Sequence, residues 1–224
     1  MQAEINIGTG IYTVTEAARI LNISSQKLGQ WVRKYWELEF IKDFPKGEAV
    51  YTVGEGSERV FNFYTLIEMI TVAKFRAMNI SFNRIKEAHR IAAEVLETPY
   101  PFAMEGFMAD GRKIFHNKDL IASLLLDKTR QLEFRRLIEP YCKKIDFEET
   151  TKLAERFWPL GKNRDVLVDP NHRFGEPVIK GTNISTSIIY NLHIAGEPVS
   201  FIAEEYNIPE NAVQDVIEFH QRAA

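Results

Sequence analysis

The sequence predicts a mainly α-helical protein with small β hairpins, built from a winged helix-turn-helix and a C-terminal helix-turn-helix domain. Three observations support this fold class. Residues 14–35 align with residues 199–220 after a shift of 185 positions. Apolar residues recur at helical spacing over much of the chain. Three short alternating segments follow the first helix pair directly, as in a wing.

The internal repeat keeps apolar positions and changes the charge of outer ones. Apolar pairs are Val14 and Val199, Ala18 and Ala203, Leu21 and Tyr206, Leu28 and Val213, Val32 and Ile217. Each copy has the pattern of a helix, a tight turn and a second helix. Outer residues differ in charge: Lys27, Gln30 and Arg33 become Ala212, Asp215 and Glu218. We therefore expect only the first copy to approach phosphate.

The first copy contains the candidate DNA-binding residues. Thr15 is the predicted N-cap of its first helix, and Ser24 or Ser25 the cap of a second helix running to about Trp36. Leu28, Trp31, Val32 and Tyr35 are expected to face inward. The outer face then holds Gln26, Lys27, Gln30, Arg33 and Lys34. The first three suit base edges and the last two phosphates. A helical hairpin used only for packing is the alternative.

The segment from 39 to 97 predicts a hairpin followed by two long helices. Strands are expected at Phe40-Ile41, at Ala49 to Val53 and at Arg59 to Phe63, separated by glycine- and proline-rich turns. A helix from Tyr64 to Ala77 would end at Asn79. Ser81 would cap the next helix, to about Leu96.

The middle of the chain predicts a connector. Thr98-Pro99-Tyr100-Pro101 is the candidate linker or rigid break. A hairpin is expected from Phe102 to Phe107 and from Arg112 to Phe115. Helices are expected at Asp119 to Leu126 and Thr129 to Tyr141, with a short strand near Lys144 to Phe147. Trp158 to Gly161 breaks the chain again.

The last segment, from about Asp165, predicts two short strands and three helices. The strands are Val166 to Val168 and Pro177 to Ile179. Thr182 or Ser185 would cap a helix that Gly196 ends, before the second helix-turn-helix. Glu210, Asp215 and Glu218 are expected on its outer face, as a partner-binding surface. The alternative is a folded unit whose acidic face is only solvated.

Composition narrows the class of protein. The net charge is −3 and the pI about 6.0, although residues 1–36 carry +2 and residues 196–224 carry −5. The single Cys142 excludes an intramolecular disulfide and a cysteine-rich zinc site. Asp169, His172, Lys180 and Thr182 look like turn-forming residues rather than a catalytic group. We therefore expect no enzyme, no cofactor, no metal and no membrane span, and a cytoplasmic location.

The N-terminal part resembles the MerR-like winged-helix DNA binders over roughly residues 11–97. The resemblance rests on Tyr12-Thr13-Val14-Thr15-Glu16-Ala17-Ala18, on the wing and on Phe63-Tyr64-Thr65-Leu66-Ile67-Glu68-Met69-Ile70. It also includes Met78-Asn79-Ile80-Ser81-Phe82-Asn83-Arg84-Ile85, where Asn79 replaces the family's usual turn glycine. This resemblance implies binding to double-stranded DNA.

The C-terminal part resembles a small GTRI-type domain that recurs in antitoxin partners of PIN-like ribonucleases. The matching residues are Asp169-Pro170, Phe174-Gly175, Pro177-Val178-Ile179, Gly181-Thr182 and Ile184. Asn183 departs from the usual arginine. Together the two resemblances imply an antitoxin of the VapBC class.

The expected organisation is a DNA-binding domain at 1–97, a connector at 98–164 and an antitoxin-like domain at 165–224. Its partners would be operator DNA, a PIN-like toxin and a second copy of the chain. The first alternative is a stand-alone MerR-like regulator without a toxin partner. An enzyme or RNA-processing factor is the second.

Overall fold

A computed structural model describes residues 10–33, 52–54, 58–107 and 136–222 of the 224-residue chain. Within these ranges the protein is mainly helical, with small antiparallel sheets. The predicted fold class is thus confirmed at this coarse level. In the described part of the chain, no helix is long and apolar enough to span a membrane.

The first helix pair begins the described chain. Strand β1 (Tyr12–Thr13) leads into helix α1 (Val14–Leu21), and helix α2 (Ser25–Trp31) follows a short turn. Thr13, and not the predicted Thr15, caps α1. Its hydroxyl accepts a hydrogen bond from the Glu16 backbone N–H, and the Glu16 carboxylate accepts from the Thr13 N–H at 2.8 Å. This reciprocal capping box fixes the start of α1 two residues earlier. The cap of α2 is Ser24.

A three-stranded antiparallel sheet flanks this pair. Strands β2 (Thr52–Val53) and β3 (Val60–Phe61) join β1 in the order β1-β3-β2. Part of the predicted wing is therefore paired as strands. The third predicted strand ends two residues early, because Asn62 caps the following helix. The predicted strand Phe40-Ile41 lies outside the described residues.

Two long helices follow, and both agree with prediction. Helix α3 (Phe63–Ala77) begins after Asn62, whose side chain accepts from the Thr65 N–H. Asn79 leaves the helix with a φ of 59°. Ser81 then precedes helix α4 (Phe82–Leu96).

The segment after α4 packs back onto α3 and α4. Pro101–Ala103 forms a 3₁₀ turn, so the predicted strand from Phe102 to Phe107 is wrong. Phe102 is fully buried, and its N–H donates to the Glu68 carboxylate, which also lies 2.9 Å from His89 Nε2. Because Glu68 and His89 are buried polar groups that need partners, they hold this turn in place. The second half of the predicted hairpin lies outside the described residues.

In the described C-terminal half, residues 136–222, two hairpins precede the last three helices. Residues 136–142 are helical, which agrees with the described part of the predicted helix. Strands β4 (Ile145–Phe147) and β5 (Ala154–Phe157) pair, as do β6 (Val166–Leu167) and β7 (Val178–Ile179). Ser185 caps helix α5 (Thr186–Ile194). Helices α6 (Val199–Glu205) and α7 (Glu210–Arg222) complete the chain.

Both helix pairs contribute to one continuous apolar core. Buried Leu28 and Phe63 of the N-terminal half and buried Ile202 and Phe219 of the C-terminal half belong to the same cluster. Strand β5 was not predicted, since charged Glu155 and Arg156 interrupt its apolar pattern. Its end residues Ala154 and Phe157 are nevertheless buried in this core.

Candidate functional site

The two helix pairs share the same turn. Asn22 ends α1 with a φ of 54°, and Asn207 follows α6 with a φ of 51°. In each copy the next isoleucine donates its N–H, over 3.0 Å, to an alanine carbonyl of the first helix: Ile23 to Ala18 and Ile208 to Ala203. Asparagine tolerates the left-handed region better than most residues, which explains its place at both turns. The sequence repeat is therefore also a structural repeat.

The outer face of α2 is polar and positively charged. Leu28, Trp31 and Val32 are buried, as predicted. Every described residue predicted for the outer face is exposed: Gln26, Lys27, Gln30 and Arg33. Lys34 lies outside the described residues. The expected division of α2 into a buried and an exposed face is confirmed.

Lys27 is positioned by an aromatic neighbour. Its ammonium lies 5.2 Å from the centroid of the Trp31 ring, which is itself almost completely buried. A cation above a fixed ring loses some freedom of its long side chain. Lys27 therefore projects from α2 in a restricted range of directions, with Gln30 three positions later on the same face.

The second copy differs from the prediction at Asp215. The residue is 5% exposed, not on the outer face. Arg164 Nε donates to one carboxylate oxygen at 2.6 Å, and the Asp165 backbone N–H donates to the other at 2.8 Å. Asp215 is therefore an internal contact between α7 and the chain before β6, and its charge is not available to a partner.

Arg164 also neutralises the second predicted carboxylate. Glu218 is exposed but accepts a hydrogen bond from the same guanidinium. These bonds to Glu218 and Asp215 raise the pKa of Arg164 above its ordinary value. Glu210, in the first turn of α7, is exposed and forms no ion pair with the described residues. Of the three predicted partner-binding residues, Glu210 keeps a free carboxylate on the described surface.

Sequence reasoning did not identify Arg164. It lies 51 residues before Asp215, in a turn between two unrelated strands, so no local spacing links the two. The only available signal was a weak one: α7 places an aspartate between apolar neighbours at 213, 216 and 217. A carboxylate at such a position needs a partner elsewhere in the fold.

The N-terminal strand joins the first copy to the C-terminal half. The Ile11 N–H donates to the Phe174 carbonyl at 2.9 Å. The Tyr12 ring is 1% exposed, and its hydroxyl lies against Gly175, where an added Cβ would come within 2.0 Å of the oxygen. A side chain at residue 175 is thus excluded twice, by this contact and by a φ of 86°.

The polar residues between Asp169 and Thr182 serve the turns around β7. Asp169 accepts from the Asn171 N–H, and Thr182 bonds both Ile179 and Ile184. Lys180 lies above the Trp158 ring. These contacts agree with the structural interpretation of this segment. Within the described ranges, no three His, Cys, Asp or Glu side chains are arranged to hold a metal.

Comparison with protein families matches the C-terminal part of the chain. Residues 166–220 match a family model described as "Protein of unknown function (DUF433)". The match covers β6 through most of α7, which is close to the segment predicted to form a separate antitoxin-like domain.

Two relatives match nearly the whole chain. A protein of Mycobacterium tuberculosis (strain ATCC 25618 / H37Rv), named "Putative antitoxin VapB45", is 20% identical and covers 97% of this chain and 96% of its own length. The crystal structure of Rv2018 from Mycobacterium tuberculosis has a TM-score of 0.69 and 18% identity, over 97% of this chain and 99% of that one. These likenesses show that the arrangement of the elements is shared from end to end.

Proposed function

We propose that this chain is the antitoxin of a type II toxin–antitoxin pair. In this proposal it binds operator DNA as a homodimer, represses its own operon and neutralises a PIN-like ribonuclease. The observation that carries the proposal is the end-to-end likeness to the relative named as an antitoxin, which includes both helix-turn-helix copies. The differing outer faces of these copies support binding of DNA by the first copy and of a protein by the second.

The DNA-binding part of the proposal rests on α2. A recognition helix in the major groove presents its outer residues to base edges and its flanks to phosphates. Gln26, Lys27 and Gln30 would reach bases, while Arg33 and Lys34 would reach phosphates. Glutamine can pair bidentately with adenine, and lysine can reach guanine. Two copies of the chain on a palindrome would double these contacts and fix the spacing of half-sites.

The protein-binding part rests on the C-terminal domain. A nuclease that binds RNA needs a basic groove, because it must approach phosphates. An inhibitor can cover such a groove with carboxylates. Glu210 remains a candidate contact with the nuclease. Asp215 is buried, and Glu218 forms an ion pair with Arg164.

The test has two arms, both with the full chain. In the first, DNA from upstream of its gene is titrated and binding is measured against salt. In the second, the purified PIN-like nuclease encoded beside the gene is assayed on RNA with increasing amounts of this chain. We expect saturable DNA binding and stoichiometric loss of nuclease activity. DNA binding without an effect on any neighbouring nuclease would support a stand-alone regulator instead.

A further inference from the structure

The exposed face of α6 combines an aromatic ring with uncompensated negative charge. Phe201 is 47% exposed, and Glu204 and Glu205 are exposed three and four positions later. On a helix these spacings place all three on one face. Ile194, at the end of the preceding helix, is 65% exposed. Large apolar side chains usually reach this exposure singly, and a set bordered by polar groups is typical of a protein contact.

The internal repeat shows that the fold does not need an aromatic residue at this position. Phe201 corresponds to Glu16 of the first copy, which forms the capping box of α1. Helix α6 instead starts after Pro198 without a side-chain cap. Phe201 therefore adds nothing equivalent to the cap, and about half of the residue is exposed to solvent.

The charges of Glu204 and Glu205, like that of Glu210, are not compensated by an ion pair among the described residues. Glu176 pairs with Arg173, and Asp215 and Glu218 pair with Arg164. Neither Glu204 nor Glu205 forms an ion pair within the described ranges. Residues 196–224 contain Arg222 as their one Lys or Arg, and its guanidinium donates to the Pro159 carbonyl. The face therefore offers two carboxylates whose charge a partner can neutralise.

We propose that the face formed by Phe201, Glu204 and Glu205 docks a basic protein surface. This inference rests on the proposed antitoxin function and names the partner as the nuclease. Phe201 would enter an apolar depression, and the two glutamates would meet lysine or arginine residues beside it. A second copy of this chain is disfavoured, because a two-fold contact here would bring two acidic faces together.

Binding of the full chain to the neighbouring PIN-like nuclease tests the inference. Phe201→Ala should weaken binding at least about tenfold, as truncation of an aromatic anchor does. The matched control is Phe174→Ala, since Phe174 is also an exposed phenylalanine of the C-terminal half, 67% exposed; it should leave affinity within about twofold. Equal losses from the two variants, or none from either, would overturn the inference.

The charge contribution is tested separately. The double variant Glu204→Gln/Glu205→Gln should slow association, and its affinity should depend less on salt than that of the unaltered chain. Glu97→Gln/Glu149→Gln removes two exposed carboxylates outside this domain and should change neither quantity. Identical salt dependence for both double variants would contradict the proposed face.

The two levels of the proposal fail differently. If the unaltered chain does not bind the nuclease, the antitoxin function is wrong and this inference with it. If the unaltered chain binds and the Phe201 and glutamate variants bind equally well, only the position of the contact is wrong. Sedimentation of the free chain gives a third check: Phe201→Ala should leave its mass unchanged. A dimer that becomes a monomer would assign this face to a second copy instead.

Discussion

The two helix pairs of the internal repeat have the same backbone turn and differently charged outer surfaces. Position 30 of the first copy holds an exposed glutamine, whereas the equivalent position 215 holds a buried aspartate paired with Arg164. Position 33 holds an exposed arginine, and the equivalent position 218 a glutamate. One supersecondary unit thus carries a cationic face in one place and an anionic, partly internal face in another. In both copies the turn determines the local fold, while contacts elsewhere in the protein decide what each face can bind.

The largest expected effect is a difference in stability between variants at the equivalent positions 215 and 30. Asp215→Ala should lower the free energy of unfolding by about 3 kcal/mol, because it leaves Arg164 and the Asp165 N–H without their internal acceptor. Gln30→Ala, at an exposed helix position, should change it by less than about 0.5 kcal/mol. Urea unfolding at neutral pH measures both. Similar losses of unfolding free energy for Asp215→Ala and Gln30→Ala would mean that position 215 contributes no more to the fold than position 30.

The second effect concerns DNA. Lys27→Ala/Arg33→Ala should lower operator affinity about 100-fold near 0.1 M salt and reduce the slope of log affinity against log salt by about two units, as expected for two lost phosphate contacts. The matched variant in the second copy, Glu210→Gln/Glu218→Gln, should leave affinity equal or slightly higher, since repulsion is removed.

These DNA measurements can contradict the comparison in two ways. Unchanged binding by the lysine–arginine variant would remove α2 from the DNA interface. A clear loss with the glutamine variant would show that the second copy also reads DNA. Asp215 is excluded from this variant because it is an internal contact, and its replacement would destabilise the fold.

The sequence predicted local features well. Helix ends at Ser24, Asn79, Ser81 and Ser185 agree with the structure because caps depend on neighbouring residues. Thr13 and Glu16 also have capping-box spacing, so the sequence supports Thr13 as the N-cap of α1 better than the predicted Thr15. These elements need no knowledge of distant contacts.

The other differences between prediction and structure occur where residues distant in the sequence determine the local structure. Asp215 was expected outside, and only Arg164 on another element explains its burial. Phe102 was expected in a strand, but the buried Glu68 carboxylate binds its N–H and holds a 3₁₀ turn. Strand β5 was missed because its pairing with β4 compensates for its charged middle. A buried carboxylate cannot be assigned a partner from spacing along the chain.

The third expected effect is a pH dependence of stability that is caused by His220. Burial lowers the pKa of His220 to about 4 from 6.5, and the positive charge of Arg19 from the first copy adds to the shift. The ring stacks on Tyr190 at 4.4 Å. Because the unfolded chain takes up a proton below pH 6.5 and the folded chain does not until about pH 4, stability should fall as pH decreases through this window.

His220→Phe tests this coupling. It keeps an aromatic ring beside Tyr190 and removes the titrating group. For the unaltered chain, the His220 contribution lost between pH 7 and pH 5 should be about 1 kcal/mol, after allowance for solvent around a partly exposed ring. Urea unfolding of His220→Phe should show a smaller loss by that amount. Parallel pH curves for the two proteins would exclude His220 as the source.

The smallest effect concerns the joint between the first copy and the C-terminal half. The Tyr12 hydroxyl is buried without a hydrogen-bond partner among the described residues, and burial, then the nearby Asp169, raises the pKa of Tyr12 well above its ordinary value. An unsatisfied buried hydroxyl costs free energy, so Tyr12→Phe should stabilise the chain by roughly 0.5 kcal/mol. The gain is small because the hydroxyl also fills space against Gly175.

Gly175→Ala should destabilise the chain, and by more than Tyr12→Phe stabilises it, since the added Cβ meets the Tyr12 ring and the φ of residue 175 is positive. Thermal unfolding of both variants decides whether the joint is held by packing. Destabilisation by Tyr12→Phe would mean that the hydroxyl has a partner that contributes to this joint.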